Sequence, residues 1–130
     1  MSPKRTVLAV DDDAGVRELL RSYLSSAGLE VHLAHDGIEG AEMFVRRPFD
    51  LLIVDINMPR CDGFTMIGSL KSVITARKTP VLVLTARHAA GDVQQALALG
   101  AKDFLTKPFD KARLFARVGR LLREPLQANP

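Results

Sequence analysis

The stretch that decides the fold is an apolar run that ends in an acid: Leu51-Leu52-Ile53-Val54-Asp55, followed by Ile56-Asn57-Met58. An unbroken apolar run of this length is typical of a strand covered on both faces, as in a parallel sheet. Similar runs occupy residues 7–10 and 81–84, and weaker ones occupy residues 29–34 and 103–105. The sequence therefore predicts five short strands.

Segments with helical periodicity separate these runs. In the first, apolar residues recur at i, i+3, i+4, i+7 and i+8 from Val16 to Leu24, which predicts one buried stripe. Asp36 and Glu39 have the spacing of an acidic capping box at the start of the second. We predict five helices: the first begins after the Asp run at 11–13 and stops before Gly28, and the others lie at about residues 36–46, 64–74 and 90–99, and from after Asp110 to Pro125.

The order is thus strand then helix, five times, and right-handed crossovers place helices on both faces of a parallel sheet. We predict an α/β fold, a flavodoxin-like doubly wound (βα)5 domain. The strand order 2-1-3-4-5 is taken over from that class of fold.

Composition sets the limits of function. The chain has 130 residues, 47% of them hydrophobic and 25% charged, which is typical of one globular domain. We expect that domain over residues 4–124, with short tails at 1–3 and 125–130 and no output domain. One Cys excludes an internal disulfide and a Cys-rich zinc site, and no apolar run has the length of a membrane span. We expect a cytoplasmic protein with no membrane contact.

Polar residues follow each predicted strand, at the sheet edge where ligands bind in open α/β folds. They are Asp11, Asp12 and Asp13, then His35 and Asp36, then Asp55, then Thr85, and finally Lys107. Neighbouring first and third strands would bring the acids together, where they repel each other unless a cation joins them. Oxygen ligands with open positions suit Mg²⁺.

A carboxylate beside Mg²⁺, an ammonium group and a hydroxyl can accept a phosphoryl group as an acyl phosphate. Asp55 is the predicted nucleophile, with Asp12 as its partner in holding the metal and Asp11 acting through a water or as a second ligand. Taken singly, these residues have simpler interpretations: a helix N-cap for the Asp run, a turn residue for Asp55, a surface lysine for Lys107 and a cap for Thr85. Their common position at strand ends favours the site.

The same residues resemble the receiver domain of two-component response regulators, including stand-alone chemotaxis-type receivers, from about residue 4 to 124. The matching segments are residues 10–13, 52–63 with Met-Pro and Asp-Gly pairs, 84–86 and 100–109. Four such segments in order make the resemblance specific.

The resemblance implies a role for each matching position. Asp55 would accept a phosphoryl group from the phosphohistidine of a histidine kinase or a phosphotransfer protein. Mg²⁺ would be held by Asp12, Asp55 and the backbone carbonyl of Asn57, and through a water by Asp11. Lys107 and Thr85 would contact the phosphoryl oxygens.

The resemblance also implies a switch. Thr85 and the aromatic Phe104 would move together on phosphorylation, the Lys107–Pro108 peptide bond would be cis, and the surface of the fourth helix, fifth strand and fifth helix would change its affinity for a downstream protein target. Asn57 and Arg87, two residues beyond Asp55 and Thr85, leave the phosphoryl lifetime open. Cys61 is interpreted as a loop residue without a redox role.

The positive charge is concentrated at the C-terminal end, where residues 102–130 contain seven basic and three acidic residues. Arg113, Arg117 and Arg120 form either a solvated face or a docking face for an acidic partner or a second copy of the chain. Asp103 and Arg117 suit a charged pair between two copies, but Arg113 stands where that arrangement calls for an acid. Without a helix-turn-helix or stacking aromatics, direct nucleic-acid binding is not predicted.

Three functions remain in competition. The leading one is a phosphorylation-controlled binding module that is not an enzyme beyond its own phosphotransfer and dephosphorylation. An Mg²⁺-dependent aspartyl-phosphate phosphatase would also use an Asp nucleophile, but its signature has a second acid where this chain has Asn57. The third is a receiver-like interaction module that does not use phosphate.

Overall fold

Strands and helices alternate along the whole domain. The computed structural model describes residues 4–58, 62–86 and 90–129. The strands are β1 (Thr6–Val10), β2 (Glu30–Ala34), β3 (Leu51–Asp55), β4 (Val81–Thr85) and β5 (Asp103–Thr106). The helices are α1 (Ala14–Ser26), α2 (Gly37–Arg46), α3 (Gly63–Arg77), α4 (Ala90–Ala98) and α5 (Lys111–Leu122).

All strand pairs are parallel, and their order is β2-β1-β3-β4-β5. The predicted fold class and strand order are therefore confirmed. The register pairs Val10 of β1 with Val54 of β3, so the acids that follow β1 lie beside Asp55. It also pairs Thr85 with Thr106, so Lys107 follows β5 at the same edge.

The sheet is covered on both faces, as its apolar strands predict. Alternate residues of β3 point to opposite sides: Leu52 and Val54 join one core cluster, and Leu51 and Ile53 join the other. Every residue of β3 is buried. Because packing on both faces holds this strand in place, it also fixes the position of Asp55 at its end.

Four of the helices begin at an aspartate whose side chain accepts a backbone N–H of the first turn: Asp13, Asp36, Asp62 and Asp110. At α2 the Asp36 carboxylate accepts from the Glu39 N–H at 2.8 Å. Glu39 in turn accepts from the His35 N–H at 2.7 Å, one residue earlier than the capping box requires. The Asp36 cap at the start of α2 is therefore confirmed, but the second bond of the predicted capping box is made by the His35 N–H instead of the Asp36 N–H.

Two helix ends differ from the sequence prediction. The third helix continues to Arg77 instead of ending near residue 74, and the fifth ends at Leu122, before Pro125. In both, the next residue, Lys78 or Arg123, has the left-handed conformation, with φ of 55° and 58°. A cap of this kind is usually glycine, so its position could not be read from these residues.

Gly63 sets how closely α3 approaches the end of β3. A Cβ at this position would lie 2.6 Å from both the Asp55 carbonyl oxygen and the Ile56 Cα, which no side chain tolerates. The absence of a side chain at Gly63 thus allows α3 to begin directly against the strand end that carries Asp55.

Candidate functional site

Asp55 is the last residue of β3 and is 3% exposed. One carboxylate oxygen, Oδ1, accepts the Asn57 N–H at 3.1 Å, and the other, Oδ2, lies 3.2 Å from the Lys107 Nζ. Burial raises the pKa of Asp55 to about 6, and the charge of Asp11 adds to this, against the opposing contacts with Asn57 and Lys107. The structure thus holds a carboxylate in a place where its charge is costly.

Lys107 joins the buried acids. Its Nζ lies 2.8 Å from Asp11 Oδ2 and 3.2 Å from Asp55 Oδ2. Burial alone would lower the pKa of Lys107, but the contacts with Asp11 and Asp55 outweigh it and raise the pKa. The Lys107 N–H donates to the Thr85 carbonyl at 2.8 Å and the Lys107–Pro108 peptide bond is cis, so the backbone of this segment is also tied to β4.

Three carboxylates converge at this edge of the sheet. Asp11 is fully buried and Asp12 is exposed, yet oxygen atoms of Asp11, Asp12 and Asp55 all lie within 4.8 Å of one another. Asp11 Oδ1 accepts the Asp13 N–H at 2.9 Å. Its Oδ2 has the ion-pair contact with Lys107 but, among the described residues, no well-aligned hydrogen-bond donor. Three carboxylates this close together suit a hard divalent cation.

Arg17 supports the acidic loop and was not singled out from the sequence. Its guanidinium Nη1 donates to the Asp11 carbonyl oxygen at 2.6 Å, from one turn inside α1. The signal for it was weak, because an arginine on an amphipathic helix usually faces solvent. Together, Asp13 as N-cap and Arg17 as anchor fix the loop that presents Asp11 and Asp12.

Thr85 and Phe104 lie on one face of the sheet. Thr85 ends β4 and is 2% exposed, and its hydroxyl donates to the Ala86 carbonyl at 3.4 Å, a weak bond. Phe104 pairs with Val83, two residues before Thr85, so strand alternation places both side chains on the same side. Phe104 is half-buried and packs against the core cluster of that side. The hydroxyl has no contact with the acids among the described hydrogen bonds.

The three arginines of the predicted docking face have different surroundings. Arg117 Nη1 lies 2.9 Å from Asp103 Oδ1, and Arg120 Nη1 lies 3.2 Å from Asp103 Oδ2. The Arg117 guanidinium also lies 5.6 Å from the centre of the Phe104 ring. The side chain of Arg113 is exposed, and its backbone N–H donates to the Asp110 carboxylate at the start of α5. Asp103 and Arg117, suited in sequence to a pair between two copies, form their pair within one chain.

Two residues considered in the sequence lie outside the described part of the structure. These are Arg87, which follows Thr85, and Cys61, in the loop after β3. Within the described residues, no helix combines the length and apolarity that crossing a membrane requires.

A comparison with protein families and a comparison with curated proteins agree on one family. Residues 7–119 match the family described as the response regulator receiver domain. Response regulator MprA of Mycobacterium leprae is 47% identical over 117 residues, which are 90% of this chain and 50% of that protein. MprA of Mycobacterium avium is 45% identical over a segment of the same length. The chain thus spans about half the length of the curated relatives it matches.

Solved structures include a close match over a full chain. Chemotaxis protein CheY4 of Vibrio cholerae superposes with a TM-score of 0.86 at 34% identity, covering 92% of this chain and 99% of that one. A putative response regulator from Chloroflexus aurantiacus gives 0.87 at 34% identity, covering 94% and 100%. With the acidic triad at the carboxyl edge of the sheet, these similarities show that the chain belongs to the response regulator receiver domain family, whose members are signalling switches and not classical enzymes.

Proposed function

We propose that this domain accepts one phosphoryl group on Asp55 from the phosphohistidine of a histidine kinase or a phosphotransfer protein, and that the modification controls binding to a downstream target. The observation that carries the proposal is the buried carboxylate of Asp55, 3.2 Å from Lys107 and grouped with Asp11 and Asp12. The phosphoryl donor implies a kinase that uses ATP, and hence a cytoplasmic location.

The acidic triad fits Mg²⁺. Asp12, Asp55 and the Asn57 carbonyl would hold the ion directly, and Asp11 would hold it through a water. The oxygen-only donor set, with ligand atoms of all three acids within 4.8 Å of one another, supports this assignment. The ion, when bound, supplies positive charge that offsets the repulsion among the carboxylates and the incoming phosphoryl oxygens.

The residues of the chain then perform an in-line transfer. A carboxylate oxygen of Asp55 forms a bond to phosphorus while the bond from phosphorus to the histidine nitrogen breaks, and the imidazole leaves with the bonding electron pair. Lys107 places its ammonium against a phosphoryl oxygen, and Thr85 contributes a hydroxyl donor to another. The bonds to Asn57 and Lys107 hold the Asp55 carboxylate in position for this attack.

The switch is built on β4 and β5. A phosphoryl group at Asp55 would draw the Thr85 hydroxyl away from its weak bond to Ala86, and the space vacated would admit the Phe104 ring. Because Arg117 contacts both Asp103 and the Phe104 ring, movement of the ring would change the charged surface of α5. This surface, formed by α4, β5 and α5, would bind the downstream protein. A homodimer through it would have to exchange the Asp103 pairs formed within each chain.

The proposal is tested by intact-mass spectrometry after incubation with a small phosphodonor, such as acetyl phosphate, and Mg²⁺. Wild-type protein should gain one phosphoryl group, and Asp55→Asn should gain none. The matched control is Asp50→Asn, which changes an exposed acid directly before β3, at the opposite end of that strand from Asp55. This variant should label as wild type does. A label retained in Asp55→Asn, or no label with any of several donors, contradicts the proposal. Sustained release of phosphate from small esters would favour the phosphatase instead.

A further inference from the structure

The end of the sheet opposite the acidic site contains a large cavity. It has a volume of about 810 Å³ and lies among the C-terminal ends of α3, α4 and α5 and the start of β4. Its apolar lining includes the buried Ile67 and Val81 and the partly buried Ile74, Leu99 and Leu121. The cavity is therefore an apolar depression that a side chain of a ligand can enter.

The cavity is also rich in positive charge. Among the residues that the structure describes, its lining contains no acid and five cationic residues: Lys71, Lys78, Lys102, Arg120 and Arg123. Four of them form no ion pair within the described residues, while Arg120 shares Asp103 with Arg117.

Helix dipoles do not account for this charge. Basic residues often lie at helix C-terminal ends, each of which carries about half a negative charge. Three such ends offset about one and a half of the five positive charges, and Asp103 is shared between Arg120 and Arg117, so an excess of about three remains. The excess calls for a negatively charged ligand.

The distribution of the five cations over separate segments favours one kind of anionic ligand. Lys71 and Lys78 belong to α3 and its cap, Lys102 precedes β5, and Arg120 and Arg123 belong to the end of α5. A single phosphate is bound by donors that converge on one point, whereas these five exposed cations, called the rim, come from three separate segments that line one cavity. Separate carboxylates along an extended segment match such a rim, and apolar side chains between them match the floor.

We propose that this cavity is a docking site for an acidic peptide segment of a partner protein, one that carries aliphatic or aromatic side chains between its carboxylates. The site is distinct from the acidic edge, because β4 begins at the cavity with Val81 and ends at Thr85, about 13 Å away at the rise of a strand. The same strand thus connects the docking site to the hydroxyl proposed to respond to phosphorylation.

The test measures binding of a fluorescein-labelled short peptide of repeated Glu-Glu-Leu by fluorescence anisotropy, at low and at moderate salt. The variant Lys71→Gln/Lys102→Gln removes two rim charges, and Thr75→Glu places a negative charge on the exposed rim. Each should weaken binding by about fivefold or more. The variant Lys4→Gln/Arg46→Gln has the same net charge as the double rim variant but changes exposed residues that do not line the cavity, and should bind within about twofold of wild type.

A second peptide with Ser in place of each Leu tests the apolar floor and should bind about tenfold more weakly. Unchanged melting temperatures show that the variants are folded. The proposal is overturned if the peptide does not bind, if the charge-matched control loses as much affinity as the rim variant, or if the Ser peptide binds as well as the Leu peptide. It is also overturned if a duplex DNA displaces the peptide at an equal concentration of charge, because the surface would then bind any polyanion.

Discussion

Asp55 places an ionisable group at a position where its charge lowers the stability of the fold. It lies at the end of a strand with both faces covered, and its carboxylate is 3% exposed beside the fully buried Asp11. A residue chosen for stability alone would not carry charge here, because burial and a neighbouring acid both oppose ionisation. Its position was predictable from the sequence, since it depends on a local pattern in which an acid directly follows a buried strand.

The first prediction concerns the stability of the metal-free protein. The pKa of Asp55 is about 6 in the folded chain and is near 3.8 in the unfolded chain, so the folded state holds the proton more tightly between these values. The free energy of unfolding should therefore fall as pH rises from about 4 to 6, and Asp55→Asn should remove this loss. At pH 7 without divalent metal, Asp55→Asn should be more stable than wild type by about 1–3 kcal/mol.

Urea unfolding in the presence of a chelator, from pH 4 to pH 7, measures this difference. Glu42→Gln, at an exposed acid of α2, is the control and should track wild type at every pH. An Asp55→Asn variant that is equal to or less stable than wild type at pH 7 would show that the contact with Lys107 outweighs the burial of charge.

At the scale of elements, helix starts were predictable and two helix ends were not. Asp36 and Asp110 act on N–H groups three residues away, so their role as caps is encoded locally. The end of α3 depends on a left-handed Lys78 and on Arg77, whose guanidinium donates to α2. That contact joins segments about thirty residues apart, and no local pattern encodes it.

The second prediction concerns this link between α3 and α2. Arg77 donates to the carbonyl oxygens of Phe44, Val45 and Arg47, where α2 ends without a left-handed cap. Its guanidinium also lies 5.4 Å from the centre of the Phe44 ring. Because these carbonyls have no partner within their own helix, Arg77→Ala should lower the free energy of unfolding by about 2–3 kcal/mol.

Urea unfolding and hydrogen exchange measure the effect of Arg77→Ala. The exchange of amides in the last turn of α2 should rise in the variant. Lys71→Ala, at an exposed position of the same helix, controls for the loss of a basic side chain and should change stability by less than about 0.5 kcal/mol. A similarly small change for Arg77→Ala would mean that water replaces the guanidinium without cost.

At the scale of the molecule, the two ends of the sheet differ in charge. Acids collect at one end, and basic residues line a cavity at the other. The acids collect at the carboxyl ends of the strands because each of them ends or follows a strand, and the parallel sheet brings those ends together. This is why the grouping of Asp11, Asp12 and Asp55 could be predicted from two separated segments. The basic cavity is assembled by Ile67 and residues 71–81, 99–102 and 120–123, and its five cations read as ordinary surface residues in the sequence. The contacts of Asp103 with Arg117 and Arg120 within one chain could not be predicted either. In the sequence, these arginines were equally consistent with a docking face for a partner.

The last prediction follows from the acidic end. A cation that binds the folded site, but not the unfolded chain, stabilises the whole domain by mass action, by about 2.7 kcal/mol at a concentration one hundred times its Kd. Mg²⁺ should therefore raise the melting temperature of wild-type protein and saturate with concentration. Asp12→Asn removes an exposed carboxylate of the triad, so the variant should fold normally but show a much smaller rise. Glu42→Gln should respond as wild type does, because its carboxylate lies on the exposed surface of α2 outside the triad. Thermal scans with Mg²⁺ at matched ionic strength measure this, and an equal rise in Asp12→Asn would mean that the ion acts on general surface charge and not at the strand ends.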